Sequence, residues 1–223
     1  MVSKILFVEP PKDYWFLMGE YLPPPTGYLI LAAYIERELP DMEIEVLDCQ
    51  AERKGWKDIE NRIESFGPHM VATSGFTCNA YVCARVAEIA KQVDRNIVTV
   101  IGGQHFSAVA DESLKEYPEI DYIVRGEGET AVVELIKTLR EGKSVDRVGG
   151  LSFRHNGEIV RTQPQQLIED LDTLPYPAYH LVEKNLDKYH FTMMAGKKTR
   201  YMILEGSRGC THRCSFCTQW RHW

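Results

Sequence analysis

No apolar run in this 223-residue chain approaches the ~18 residues that a helix needs to span a bilayer. Met1-Val2-Ser3-Lys4 feeds straight into the strand-like run Ile5-Leu6-Phe7-Val8, so no leader is expected. The expectation is a cytoplasmic protein with no membrane partner. An excess of positive charge is also missing: 26 Lys and Arg face 32 Asp and Glu, for a net charge of −6. A phosphate-tracking surface, and with it a nucleic-acid partner, is therefore not expected. Internal repeats and low-complexity tracts are absent, and 44% hydrophobic with 26% charged residues is an ordinary globular composition. No G-x-G-x-x-G follows the first apolar run, which disfavours a nicotinamide dinucleotide site. Cysteine is sparse, six in all, and Cys49, Cys78 and Cys83 read as scattered, reduced core thiols.

The other three cysteines stand together. Cys210, Cys214 and Cys217 form a C-x3-C-x2-C run inside Gly209-Cys210-Thr211-His212-Arg213-Cys214-Ser215-Phe216-Cys217. A loop this short can wrap three thiolates around one face of a metal centre and leave a fourth position open. Thiolate-only ligation favours an iron–sulfur cluster or zinc. A structural zinc site requires a fourth ligand, for which His212 and His222 are candidates. Just upstream, Arg200–Glu205 reads as a buried strand delivering the loop at its carboxyl end, where parallel α/β barrels keep their chemistry.

Earlier in the chain, strand and helix patterns alternate. Apolar or β-branched runs at Ile5–Val8, Glu43–Asp48, Met70–Thr73, Ile97–Ile101 and Tyr122–Val124 predict five strands. Helical periodicity covers about Gly27–Leu39, Trp56–Phe66, Cys78–Val93, Ser107–Tyr117 and Glu129–Arg140. Five such units in succession predict an α/β fold, a five-stranded doubly wound parallel sheet of flavodoxin-like order 2-1-3-4-5. Ligands of such sheets bind over the carboxyl ends of the strands. The loops that meet there are Glu9–Pro25, with the aromatic cluster Tyr14-Trp15-Phe16, then Ser74–Thr77, Gly102–His105 and Arg125–Glu129. Small residues dominate them: Ser74-Gly75-Phe76-Thr77, Gly102-Gly103 and Gly126-Glu127-Gly128-Glu129, which let a flat ligand approach the backbone. Next, His155-Asn156-Gly157 between Gly150–Arg154 and Glu158–Arg161 is a hairpin signal. A proline-fixed linker, Leu171–Ala178, and a short helical stretch near Tyr179–Leu186 follow, with His180 and His190 read as linker-surface residues.

Glu205-Gly206-Ser207-Arg208-Gly209-Cys210, Cys214 and Phe216-Cys217 resemble the cluster loop of the radical S-adenosylmethionine (SAM) enzymes. The resemblance implies that Cys210, Cys214 and Cys217 hold three irons of a [4Fe–4S] cluster and that SAM occupies the fourth. Arg200 and Arg208 are then candidates to meet the SAM carboxylate, with ordinary salt bridging the simpler role. The segments Pro24–Leu29, Ser74–Thr77, Gly102–His105 and Gly126–Glu129 look, in that order, like the cobalamin-binding domain of the B12-dependent radical SAM class. That resemblance implies cobalamin held by Ser74, Gly75, Thr77, Gly102, Gly103, His105, Gly126, Glu127 and Gly128. Cobalamin domains of the methionine-synthase kind carry D-x-H-x-x-G after the first strand, but residues 9–25 contain no histidine. Cobalamin without a histidine on cobalt is therefore implied. His105, in a different loop, is the nearest candidate ligand, but is read instead as touching the corrin edge or another side chain, or as a partly exposed loop histidine.

The expected organisation is a cobalamin-binding Rossmann-like domain over 1–145, a hairpin and linker over 146–198, and the first strand and cluster loop of a radical SAM barrel over 199–223. A barrel needs roughly 200 residues or more, so the chain is expected to be the N-terminal part of a longer enzyme. The implied activity is radical methylation, rearrangement or cyclisation of an unactivated carbon in a small-molecule or peptide substrate. An external electron donor, flavodoxin or ferredoxin, goes with it. The rival from another class is a non-catalytic cobalamin-binding module with a structural zinc site at the three cysteines; a ferredoxin-like electron carrier is a weaker third.

Overall fold

The computed structural model describes residues 2–11, 19–193 and 196–217. The first strand, β1 (Lys4–Glu9), carries Ile5, Leu6, Phe7 and Val8, all at most 1% exposed. Its side chains alternate between two cores. Ile5 and Phe7 join one cluster with Tyr28, Leu29, Ala32 and Ile35, whereas Leu6 and Val8 join another with Ile59, Ile63 and Phe66. A strand apolar on both faces needs helices on both sides, and the chain supplies them.

The elements that follow are β2 (Gly19–Leu22), α1 (Thr26–Glu38), β3 (Glu43–Asp48), α2 (Cys49–Glu52) and α3 (Trp56–Phe66). Next come β4 (Met70–Ser74), α4 (Ala80–Val93), β5 (Val98–Gly102), α5 (Gln104–Ala108), α6 (Ala110–Glu116), β6 (Tyr122–Val124) and α7 (Glu129–Arg140). The main sheet runs β3-β1-β4-β5-β6, all parallel. In units of the main-sheet strands this is the expected 2-1-3-4-5 order. The α1 and α7 helices cover one face; α3 and α4 cover the other, with α5 and α6 over its β5–β6 end.

Two further strands, β7 (Leu151–His155) and β8 (Glu158–Arg161), form the hairpin that Asn156-Gly157 predicts. Both turn residues have positive φ, 51° and 84°, as a tight turn between twisted strands requires. The hairpin is not confined to a linker: β7 pairs antiparallel with β6, so the sheet has seven strands.

A second sheet joins distant parts of the chain. Strand β9 (His190–Met193) pairs antiparallel with β2, Leu22 opposite His190, and on its other edge with β10 (Thr199–Arg200). Part of the predicted loop 9–25 is thus a strand; Tyr14, Trp15 and Phe16 lie outside the described residues. His190 corrects its reading as a surface residue: it is 3% exposed, and its Nδ1 lies 2.6 Å from the Lys188 carbonyl. Cys78, expected in the core, is exposed in the turn before α4, while Cys49 and Cys83 are buried. The strand expected over Arg200–Glu205 ends at Arg200, and Met202 and Leu204 are 59% and 91% exposed. Strand pairing ends there, so these apolar side chains have no sheet to face among the described residues. No helix among them is long and apolar enough to cross a membrane.

Candidate functional site

The loops after β4, β5 and β6 meet at the carboxyl edge of the sheet, and their first contacts are with one another. Gly75 donates its N–H to the Gly102 carbonyl at 3.1 Å, and the His105 N–H donates to the Gly75 carbonyl at 3.2 Å. Gly103 has φ +92°, and a Cβ there would stand 2.6 Å from Ser74 Oγ and 2.7 Å from the Gly75 carbonyl oxygen. Gly75 is similarly confined, its would-be Cβ 2.9 Å from Cys83 Sγ. These two glycines are required by the fold's own packing. Gly102 is different: a Cβ there would meet nothing closer than the Val124 carbonyl oxygen at 3.5 Å. A methyl would fit there in ordinary contact with Val124, on the edge where a flat ligand would approach.

Around it stand partly exposed Ser74, exposed Thr77 and Phe76, the last 60% exposed, and partly exposed His105. His105 Nδ1 lies 3.1 Å from Thr77 Oγ1, and its ring meets Phe106 edge-on at 5.1 Å. Partial burial holds the imidazole below its ordinary pKa, with Glu116 pulling weakly the other way. His105 is therefore neutral at pH 7, able to accept or donate one hydrogen bond at Nε2. The implied contact to another side chain is present; the remaining edge nitrogen suits an amide of a large ligand.

The third loop turns inward. Gly126, with φ +77°, donates its N–H to Ser107 Oγ at 3.1 Å, and Gly128 fits against Leu31. Glu127 and Glu129, 4% and 5% exposed in their side chains, face Arg208, itself 9% exposed. Arg208 Nη1 lies 3.2 Å from Glu127 Oε1, Nη2 lies 2.6 Å from Glu129 Oε1, and Nε donates to Glu205 Oε2 at 3.0 Å. Glu127 Oε2 accepts the Ile168 N–H at 2.6 Å. Both Glu127 oxygens are thus engaged within the protein. Arg208 follows the salt-bridging reading, and Arg200 pairs with Asp187.

Sequence reasoning missed a fourth group at this edge. Glu9 and Asp48 end neighbouring strands in register. Gln50 Nε2 donates to Glu9 Oε1 at 2.6 Å, and Tyr189 donates to Asp48 Oδ2 at 3.0 Å. Burial, reinforced by the charge of Asp48 and opposed by a hydrogen bond from Tyr28, pushes the Glu9 carboxyl up to about 8. Burial also raises Asp48, against the N–H groups of Ala51 and Gln50 that it caps. Tyr28 is buried beneath, its hydroxyl 3.3 Å from Thr73 Oγ1 and accepting the Ser74 N–H at 2.8 Å. A polar residue closing an all-apolar strand was the available signal.

The cysteine loop follows Arg208. Cys210 and Cys214 are exposed and Cys217 is partly so, with the Cys217 N–H donating to the Cys214 carbonyl at 3.1 Å. No group of three or more His, Cys, Asp or Glu stands ready to hold a metal among the described residues, so the three thiols are not drawn together. His212 is exposed, and His222 lies outside the described residues. As a donor set, three thiols within eight residues on an open loop suit a thiophilic iron or zinc centre.

A five-stranded parallel sheet of this order, with glycine-lined loops at its carboxyl edge, defines a cofactor-binding α/β domain. The B12 binding domain family matches residues 19–136. The chain belongs to that family. An uncharacterized methyltransferase of Pyrococcus horikoshii is 33% identical over 97% of this chain and 45% of its own length. The anaerobic magnesium-protoporphyrin IX monomethyl ester cyclase of Rubrivivax gelatinosus is 33% identical over 90% of this chain and 36% of its own. The chain thus spans less than half the length of these curated relatives. Among solved structures, the radical SAM methyltransferase TsrM from Kitasatospora setae, with cobalamin and a [4Fe–4S] cluster bound, superposes with a TM-score of 0.65 at 23% identity. That superposition covers 98% of this chain and 42% of TsrM, and shows a shared fold.

Proposed function

We propose that this chain is the cofactor-holding part of a cobalamin-dependent radical SAM enzyme of methyltransferase or cyclase type. Cobalamin lies over the carboxyl edge of β4, β5 and β6, and Cys210, Cys214 and Cys217 hold the [4Fe–4S] cluster to which SAM binds. The observation that carries the reading is a C-x3-C-x2-C loop tied through Arg208 to the ligand-facing edge of a B12-family domain. When bound, the cluster supplies the electron that cleaves SAM reductively, and cobalamin supplies a methyl carrier or a second redox centre.

The protein's own groups then bind and orient. Ser74 and Thr77 offer hydroxyls to the nucleotide tail, Gly102 leaves the backbone open to it, and neutral His105 meets the corrin edge through Nε2. Gly75, Gly103, Gly126 and Gly128 act by shaping these loops, and Glu127 acts on the cysteine loop rather than on the corrin. Residues 1–145, with the β7–β8 hairpin that extends their sheet, form the cobalamin domain; the rest of 146–198 is the connector, while 199–223 open the SAM-binding part. The substrate is a small molecule, with a peptide as the second class, and the electron comes from a flavodoxin or ferredoxin in the cytoplasm.

The test is anaerobic incubation of the reconstituted full-length protein with SAM and a low-potential reductant, followed by chromatography for 5′-deoxyadenosine. The expected result is turnover that disappears in Cys214→Ala. A protein that takes up iron and sulfide yet never cleaves SAM contradicts the enzyme reading; tight zinc without acid-labile sulfide favours the structural-zinc module instead.

A further inference from the structure

The geometry points to Arg208 as a positioning residue that fixes the cysteine loop over the carboxyl edge of the cobalamin domain. The inference rests on the cofactor reading above and adds to it a device that sets the distance between the two cofactors.

The argument begins with burial. Arg208 stands two residues before Cys210, in a segment where Glu205, Gly206, Gly209 and Cys210 are exposed. Its own side chain is only 9% exposed, between Glu127 and Glu129 of the loop that opens α7. A solvated surface pair contributes little to loop placement. This one is different, because all three nitrogens of the guanidinium are engaged, each by a different carboxylate. A planar, forked cation held at three points has a defined orientation, which a lysine's point charge would not reproduce. The acids are in turn fixed, Glu127 by the Ile168 N–H and Glu129 as the first residue of α7.

Charge makes the link obligatory. Without the guanidinium, two carboxylates with side chains at most 5% exposed would face each other with no cation between them. A second strap runs alongside. The hydroxyl of Tyr21, from β2, lies 3.1 Å from that of Tyr201, immediately after β10, and the rings meet edge-on at 5.4 Å. The segment from 199 to 208 is therefore tied to β2 of the second sheet at one end and to the loop after β6 at the other. The Arg208 tie point lies on the edge that receives the corrin, so the latch sets the offset between corrin and cluster.

The test uses two full-length variants that cut the link from opposite sides, Arg208→Gln and the double Glu127→Gln, Glu129→Gln. In the apo proteins, limited trypsin digestion followed by mass spectrometry reads cleavage after Arg200 and Arg213. Loss of a charge-assisted hydrogen bond corresponds to roughly tenfold or more in local opening. Cleavage at both sites should therefore quicken about tenfold in each variant while the sheet stays uncut. In the reconstituted proteins, electron paramagnetic resonance reads the dipolar coupling between cob(II)alamin and the reduced cluster. One coupling should be resolved in the wild type, and a weaker, broader distribution in both variants at unchanged iron and cobalt content. Arg208→Lys, which keeps the charge and guards against misfolding, should show the broadened coupling at near wild-type trypsin resistance of the sheet. Wild-type digestion rates and an unchanged coupling in the variants would overturn the latch. A wild type that takes up no iron or cobalt would instead overturn the cofactor reading, leaving the digestion result to judge the latch alone.

Discussion

Replacing Gly103 by alanine should damage the fold itself, and the size of the effect follows from the loop geometry. The backbone at Gly103 has φ 92° and ψ 175°, a region essentially reserved for glycine. An added Cβ would also lie 2.6 Å from Ser74 Oγ, 2.7 Å from the Gly75 carbonyl oxygen and 2.8 Å from the Gly75 nitrogen. The serine hydroxyl can rotate away; the Gly75 backbone cannot, because its N–H bonds to Gly102 and its carbonyl to His105. Backbone strain of ~1–3 kcal/mol and overpacking of ~1–3 kcal/mol together give a loss of roughly 2–6 kcal/mol. For a chain of this size, each kcal/mol shifts Tm by ~2–4 °C, so Gly103→Ala should melt roughly 4–24 °C below the wild type. Gly102→Ala is the control. Its Cβ would sit at an ordinary 3.5 Å from Val124, so Tm should move by no more than about 2 °C. Hydroxocobalamin binding, followed by visible absorbance, should nonetheless weaken in Gly102→Ala, because the new methyl fills ligand-side space. Thermal unfolding by circular dichroism reads the first pair of outcomes. A Gly103→Ala protein that melts with the wild type would refute the packing argument, and unchanged cobalamin affinity in Gly102→Ala would refute the assignment of that space to the ligand.

Other outcomes follow from the same edge. Glu9 is raised to about 8 in the fold, so between its unfolded pKa of ~4.3 and 8 the folded chain holds a proton that the unfolded chain has released. Its contribution is therefore fully present below the unfolded value and is lost as pH rises through 8. Glu9→Gln should flatten the fall in Tm between pH 5 and 9, and an unaltered slope would show that Glu9 does not carry it. Tyr28→Phe removes the acceptor for the partly buried Ser74 N–H and should cost about 1–3 kcal/mol by urea unfolding; a loss under ~0.5 kcal/mol would mean that the amide finds another partner. Cys78→Ser, at an exposed position in a turn, should leave both Tm and iron content unchanged, and lost iron would place Cys78 among the ligands.

Much of this edge is legible in the sequence because local patterns generate it. Continuous apolar runs mark strands buried on both faces, helical periodicity separates them, and the strand order follows from linked right-handed crossovers. Asn156-Gly157 announces its hairpin because few other dipeptides accept two positive φ values. What stays hidden is non-local. Strand β2 exists through its pairing with β9, Leu22 opposite His190, and four residues carry no periodicity of their own to declare it. The Glu127–Arg208 contact spans 81 positions. Nothing in the Gly126–Glu129 run says that its acids turn inward while its glycines shape the loop. Gly102 and Gly103 look equivalent in sequence, and only the fold separates a position that forbids a Cβ from one that accepts it. The Arg200–Glu205 run is strand-like by composition, yet a strand forms only where a neighbouring edge is offered, which here stops at Arg200.

Metal analysis after gel filtration of anaerobically reconstituted, hydroxocobalamin-loaded protein bears most directly on the two-cofactor assignment. It should return one cobalt with about four iron and four acid-labile sulfide per chain, the iron and sulfide vanishing in the triple Cys→Ala variant while cobalt remains. Zinc in place of iron, or cobalt that elutes apart from the protein, would contradict it.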